Sequence, residues 1–432
     1  AYAHDAGSNL TWVDPTPKKK KKTNENWTYL NSTIENGADV SSFFDWNYSL
    51  VGYWSFEYYN STGIFDNSTY KNFGNFNGTN FGESNITTGK YGNSLEFDGE
   101  DDFLESPHHP SLGIRDALTI EAWVYPDTIT SYEYIVSKSY SYLINMTYAI
   151  YIHQDNEDIQ IVLDDTVYDT DDTITENEWT HVAITWDNST LRSYLNGVEE
   201  YSTTHSGPLP HNTHKIVIGA RNDTGEAGVL QLWDGKLDEV KIYNRVLTAE
   251  EINASYNNTL KIISNNFTEL SEGNYNYSLW SIDTNGNINK TDERKMTIDY
   301  TLPYIDWRPP TLNDGQSTEN DYAYLNATIS DDLNTSSFID WNNSLAGYWS
   351  FEYYNSTGVF DNSTYSNFGT FEQGLDQENL VTGKYGKGLL FDGNQTDGYS
   401  DYVDCGDRID VRGDRTISAW FKTDTGGMIV SN

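Results

Sequence analysis

Residues 118–126, "LTIEAWVYP", decide the fold class. Leu118, Ile120, Ala122 and Val124 alternate with Thr119, Glu121, Trp123 and Tyr125. A period of two sends successive side chains to opposite faces, which is the pattern of a strand and not of a helix. "WTHVAITWD" (179–187) and "RSYLNGVEEY" (192–201) repeat the style around the turn at Asp187, Asn188 and Ser189, and read as a hairpin. One stretch breaks the pattern. In "LTAEEINASY" (247–256), Thr248 and Glu251 form a capping box, which predicts one or two helical turns from Ala249 to Ile252. The class expected is all-β.

Composition narrows the function. The chain has 432 residues, 65 Asp and Glu against 26 Lys and Arg, and a net charge of −39. Phosphate binding needs a basic face, so nucleic acid is not an expected partner. A single cysteine, Cys405, excludes an internal disulfide framework. No apolar run reaches the ~18 residues of a membrane span, and no signal peptide is recognisable at Ala1. The sequence holds about twenty N-x-S/T sites, among them Asn26, Asn31, Asn60, Asn67, Asn85, Asn145, Asn188, Asn253, Asn326 and Asn355. With the acidity they point to a secreted glycoprotein carrying N-linked glycans.

The chain repeats itself. "SSFFDWNYSLVGYWSFEYYNSTGIFDNSTY" (41–70) returns as "SSFIDWNNSLAGYWSFEYYNSTGVFDNSTY" (336–365). "GKYGNSLEFDG" (89–99) returns as "GKYGKGLLFDG" (383–393), and "LTIEAWVYPD" (118–127) as "RTISAWFKTD" (415–424). The second copy runs only part-way by Asn432, so a fragment of a longer tandem array is expected.

Between residues 51 and 257 the stretches "VGYWSFE", "FDNSTYKNFG", "GKYGNSLEFDGEDDF", "WTHVAITWD", "YLNGVE" and "DGKLDEVKIYNRVLTAEEI" follow one another. In this order they resemble a laminin-G-like domain of the concanavalin A-like lectin/glucanase superfamily. That resemblance implies a jelly roll of two antiparallel sheets. Residues 10–50 and 258–302 carry about three strands each, too few for separate cores. "LSEGNYNYSLWSIDTNGNIN" (270–289) resembles the late strands of Ig-like modules in archaeal surface proteins. The expected architecture is therefore an Ig-like β-sandwich interrupted by a concanavalin A-like jelly roll, repeated in tandem. Its parts are 1–9, the end of a preceding module or a linker; 10–50 with 258–302, Ig-like; 51–257, jelly roll; 303–345, half of a second Ig-like domain; and 346–432, a partial second jelly roll.

Several groups could carry chemistry. Glu96, Asp98 and Glu100 share one strand face, the spacing a glycosidase pair would need. The repeat puts Leu390 and Asn394 at the Glu96 and Glu100 positions, so no enzyme activity is expected. The family resemblance implies calcium, held by Asp66, Asn72 and Asp238, with Asp361 and Asn367 matching in the second copy. The alternative for Asp66 and Asn72 is a turn bonded only to backbone. His108 and His109, in "SPHHPSL", read as surface residues. Tyr132, Tyr134 and Tyr140, in a Tyr-rich insert, are candidates for a ligand or subunit contact. Lys18, Lys19, Lys20, Lys21 and Lys22 align with "NDGQS" (313–317), an ordinary turn, and could clasp an acidic face of a neighbouring chain.

The expected function is structural: a glycosylated extracellular repeat of an S-layer, sheath or filament, self-associating through its sandwiches. A calcium-dependent adhesin or lectin that binds surface glycans is the alternative, and a glycan hydrolase a remote one.

Overall fold

The computed structural model describes residues 9–432 apart from 36–39, 141–144, 224–227, 258–261, 332–334, 392–400, 407–414, 424–428 and 430–432. Two units form: residues 1–22 with 26–298, and residues 23–25 with 299–432. The structure is all-β among the described residues, with one α-helix, Ala249–Tyr256. The tail expected at residues 1–9 lies outside the described residues except for Asn9, which opens the strand Asn9–Trp12.

The first unit holds the jelly roll. One sheet runs Val198–Thr204, Thr190–Leu195, Thr180–Trp186, Leu118–Pro126, Asp234–Tyr243, Asn93–Asp98, Ile86–Thr88, with Leu50–Trp54 also pairing Asp234–Tyr243. The other runs Thr166–Thr173, Asp158–Leu163, Tyr148–Ile152, Glu133–Lys138, Ile216–Ile218, Phe103–Ser106, Gly74–Asn77, Gly63–Ile64, Tyr59–Asn60. Trp54, Ile120, Val124, Ile150, Ile218 and Leu237 belong to the core that they share. "RSYLNGVEEY" is not one strand. Asn196 and Gly197 both take positive φ, so the segment folds into a second hairpin.

Alternation in a half-buried strand would leave Thr119 and Glu121 in water. Both are buried, because a second layer covers that face. This layer is built from chain on both sides of the jelly roll. Thr28–Glu35 pairs with Ile262–Phe267, and Val40–Trp46 pairs with Gly273–Asp283. Lys21–Thr23 joins Arg294–Ile298 in the second of these sheets. Leu30, Phe44, Trp46, Tyr277, Leu279 and Met296 form the apolar core of this sandwich, and Trp46 stacks on Phe267 at 4.1 Å.

The helix follows the capping signal. Thr248 Oγ1 accepts from Glu251 N–H, and the Glu251 carboxylate accepts from Thr248 N–H. It runs a turn longer than the signal alone implies, because Ile252, Ala254 and Ser255 are buried.

In the second unit, Tyr304–Trp307 pairs with Ala327–Ser330. A four-stranded sheet runs Tyr354–Asn355, Gly358–Val359, Gly369–Glu372, Tyr402–Asp404. Residues 335–341 and 415–423, which repeat two strands of the first unit, carry no regular structure.

Candidate functional site

The junction of jelly roll and sandwich concentrates aromatic and ionic side chains. Phe43, from the strand Val40–Trp46, stacks on Trp280 at 6.1 Å and meets Tyr53 edge-on at 5.3 Å. Leu50, Tyr194, Tyr243 and Ile252 also belong to this shared cluster. A second joins Tyr91 and Trp123 of the jelly roll to Ile282 of the sandwich.

Lys241 sits among them, fully buried. Its Nζ lies 3.0 Å from Glu239 Oε2, 3.4 Å from Glu121 Oε1 and 4.6 Å from the Phe43 ring centroid. Burial alone would lower the Lys241 pKa, but Glu239 and Glu121 more than offset it and hold it above the ordinary value. Tyr53 Oη–H donates to Glu239 at 2.8 Å, and Ser255 Oγ–H donates to Glu121 at 3.0 Å. His181 Nε2 lies 3.7 Å from Glu121, yet burial pushes the imidazole down to about 3, so it is neutral. Burial also raises the Glu121 carboxyl despite Lys241. One ammonium between two carboxylates in a dry site leaves one negative charge over, and protonation relieves it. Arg245 makes a second link, bidentate to Glu251 at 2.7 and 2.8 Å and donating to the Phe44 carbonyl at 3.3 Å.

Glu57 closes the far side. It accepts from Asn93 through the backbone N–H and, at 2.9 Å, the side-chain amide. Gly92 of the jelly roll (φ +59°) and Gly286 of the sandwich (φ +79°) flank its carboxylate. Gly92 N–H donates to the Thr284 carbonyl at 3.2 Å. Burial, with Glu239 and Asp283 adding to it, raises Glu57 to about 8. Asp238 accepts from Tyr91 N–H at 2.9 Å through Oδ2, while its buried Oδ1 has no hydrogen-bond partner among the described residues. Burial and the Glu239 charge raise its pKa well above the ordinary value.

The structure brings Asp66 and Asn72 together and gives Asp238 a different set of partners. Asp66 Oδ1 accepts from the N–H groups of Tyr53 (2.8 Å) and Ser68 (2.7 Å). Its Oδ2 accepts from Ser68 Oγ and Asn72 N, both at 2.7 Å. Four bonds fill the acceptor directions of a carboxylate. Asn72 donates to the Val51 carbonyl at 2.7 Å and accepts from Trp54 Nε1 at 3.0 Å through its own carbonyl. The loop is thus a backbone staple, and a saturated Asp66 does not fit a calcium ligand. Asp361 repeats the staple with Tyr348, Ser363 and Asn367. Burial pushes Asp66 up; at Asp361 the same bonds outweigh burial and lower it. Two carboxylate triads do offer oxygens within 4.8 Å of one another: Asp98, Asp101 and Asp102, and Asp158, Asp169 and Asp171. Neither contains Asp66 or Asp238.

The remaining candidates are scattered. Tyr134 is a core residue, stacked on Tyr151 at 4.5 Å, which removes it as a surface contact. Tyr132 is half-buried and Tyr140 exposed. Lys18, Lys19, Lys20 and Lys22 are exposed and Lys21 half-buried. Only the first three occupy a turn, because Lys21 and Lys22 are drawn into the strand beside Arg294–Ile298. Of the ten sequon asparagines named above, none is buried. Glu96 and Asp98 point away from the core that holds Leu95 and Phe97.

Sequence reasoning missed Glu57, Glu121, His181 and Lys241. Glu57 left a signal, since "WSFEYYN" is repeated and Glu352 binds the N–H of Lys387 in the same way. Lys241 and Glu121 left none beyond polar residues in otherwise apolar strands.

Residues 98–253 match the Laminin_G_3 family model, described as the concanavalin A-like lectin/glucanases superfamily. This segment thus has a lectin-like fold. No curated protein matches the chain. Among solved structures, domain 4 of AbnA, a GH43 extracellular arabinanase from Geobacillus stearothermophilus in complex with arabinotriose, is similar at 19% identity. The likeness covers 48% of this chain and 98% of that one, with a TM-score of 0.39. The receptor-binding domain of botulinum neurotoxin mosaic serotype C/D is similar at 16% identity over 49% of this chain and 51% of that one, TM-score 0.37. The Ruminococcus gnavus IT-sialidase CBM40 bound to α2,3-sialyllactose is similar at 13% identity over 38% and 96%, TM-score 0.32. None of these likenesses assigns a ligand to this chain.

Proposed function

We propose that the chain is a structural repeat of a glycosylated extracellular surface protein, self-associating into a layer, sheath or filament. One observation carries the reading: the jelly roll is fused to its sandwich through two shared aromatic clusters, with the buried Lys241 ammonium set against the Phe43 ring. A domain tethered by linkers alone would move freely. This one is fixed, as a building block of an assembly needs to be. The surface-accessible sequons and the charge of −39 support an extracellular setting. No helix among the described residues is long and apolar enough to cross a membrane.

Electron microscopy and sedimentation of the purified chain across concentration and salt test the proposal. Ordered oligomers or sheets are expected. A monomer at every concentration, in a protein located inside the cell, would overturn it.

A further inference from the structure

At one end of the jelly-roll core, two loops carry four of the eight histidines of the chain. His108 and His109 lie in the loop after Phe103–Ser106, and His211 and His214 in the loop before Ile216–Ile218. Beneath them is Lys138, the last residue of the strand Glu133–Lys138 and only 1% exposed. Its ammonium lies 3.4 Å from His108 Nδ1 and donates to the His214 carbonyl. The His108 and His211 rings lie 6.4 Å apart, and the exposed Tyr140 ring lies 5.5 Å from His214.

Among the described residues, no carboxylate pairs with Lys138. Lys215, in the same loop as His214, is already paired with Glu105 at 2.5 Å. A buried ammonium without a counter-charge is costly. In a chain of net charge −39, a buried cation beside the His108 imidazole stands out against its surroundings. Among the described residues, Lys138 uses two of its three N–H donors. The imidazoles add donors when protonated, and an exposed tyrosine offers a flat face to a pyranose ring.

We propose that Lys138, His108, His211 and His214 form a binding site for an oxyanion-bearing sugar, with Tyr140 stacking on the ring. The anion completes the charge of Lys138, and the sugar lies across the mouth of the two loops. This goes beyond the structural role and does not depend on assembly.

Charge on the site is tuned by its own neighbours. Burial brings Lys138 down to about 8. Burial and the charge of Lys138 hold His108 and His214 below their ordinary values, with His211 and His109 also acting on His108. An arriving anion favours the protonated imidazoles, so binding takes up protons and weakens above pH ~8 as Lys138 discharges.

Calorimetry on the whole chain tests the site with glucuronic acid, glucose 6-sulfate, glucose and inorganic sulfate as probes. One or both acidic sugars should bind at pH 6, at least tenfold more tightly than at pH 9 and than either glucose or inorganic sulfate. Which acidic sugar wins assigns carboxylate or sulfate. Lys138→Met should abolish binding. If that variant fails to fold, Tyr140→Ala and His214→Gln at the rim should each weaken binding several-fold with unchanged thermal unfolding. Equal binding of glucose and glucuronic acid, inorganic sulfate binding as tightly as the sugars, no binding by any probe, or full binding by the folded variants would overturn the proposal.

Discussion

Gly92 of the jelly roll lies so close to Gly286 of the flanking sandwich that a methyl group on Gly92 would stand 2.4 Å from the Gly286 Cα. The same methyl would also press on the Glu57 carboxylate, and Gly92 holds φ at +59°. Strain and overpacking then add. Gly92→Ala should cost about 2–5 kcal/mol of unfolding free energy, measured in urea. An unchanged midpoint would mean the two modules are not packed as described.

Lys241 neutralises part of a two-carboxylate cluster. Lys241→Met leaves Glu121 and Glu239 buried without their cation, and should destabilise by about 3–5 kcal/mol. The triple variant Lys241→Met, Glu121→Leu, Glu239→Leu should recover most of that loss, because an apolar core replaces ions that were costly to bury. Thermal unfolding of both variants checks the pair of outcomes.

Glu57 and Glu133 are each raised to about 8, chiefly by burial. A raised carboxyl binds its proton more tightly when folded than unfolded. Their contribution is fully present below the unfolded pKa, near 4.5, and is lost as pH rises through about 8. Unfolding free energy should therefore fall between pH 5 and pH 8. Glu57→Gln should flatten part of that slope, and a profile identical to the parent would refute the assignment.

Asp66 holds four donors, three of them backbone N–H groups. Asp66→Ala orphans buried donors and should cost about 2–4 kcal/mol. The loss should be the same in calcium and in EGTA, since the carboxylate has no acceptor direction to spare. A calcium-dependent stability that vanishes in Asp66→Asn would restore the residue as a ligand.

Lys19 lies 3.9 Å from Asp292 on a fully wetted surface, the one ion pair of the lysine block among the described residues. Replacing Lys18–Lys22 with serine should leave the melting temperature of the chain unchanged. If the block clasps a neighbouring chain, the same variant should assemble less, and added salt should do likewise to the parent. Sedimentation at two salt concentrations reads both.

Much of the fold was legible because it rests on local pattern. The alternation at residues 118–126, the capping box at Thr248 and the repeated motifs each encode structure within a few residues. What the alternation could not convey was the second layer. Glu121 looks solvent-facing along the chain, and only the return of the strands after Asn257 onto those before Leu50 buries it. The ion cluster was invisible for the same reason: Glu121 and Lys241 lie 120 residues apart in the chain and meet across adjacent strands.

The two copies separate the contributions plainly. Asp66 and Asp361 build the same staple, because their donors are mostly two to thirteen residues away and the sequence alone brings them together. "SSFFDWN" and "SSFIDWN" differ at one position, yet 40–46 is a strand and 335–341 is not. Trp123 is 2% exposed in "EAW" and Trp420 is 70% exposed in "SAW". Strand bonds and aromatic burial need a partner from far along the chain. Val40–Trp46 has Gly273–Asp283, and Leu118–Pro126 has Thr180–Trp186 and Asp234–Tyr243. Sequence determined the loops and the strand-forming pattern. Tertiary pairing decided which of those patterns became strands, and which charges were taken out of water.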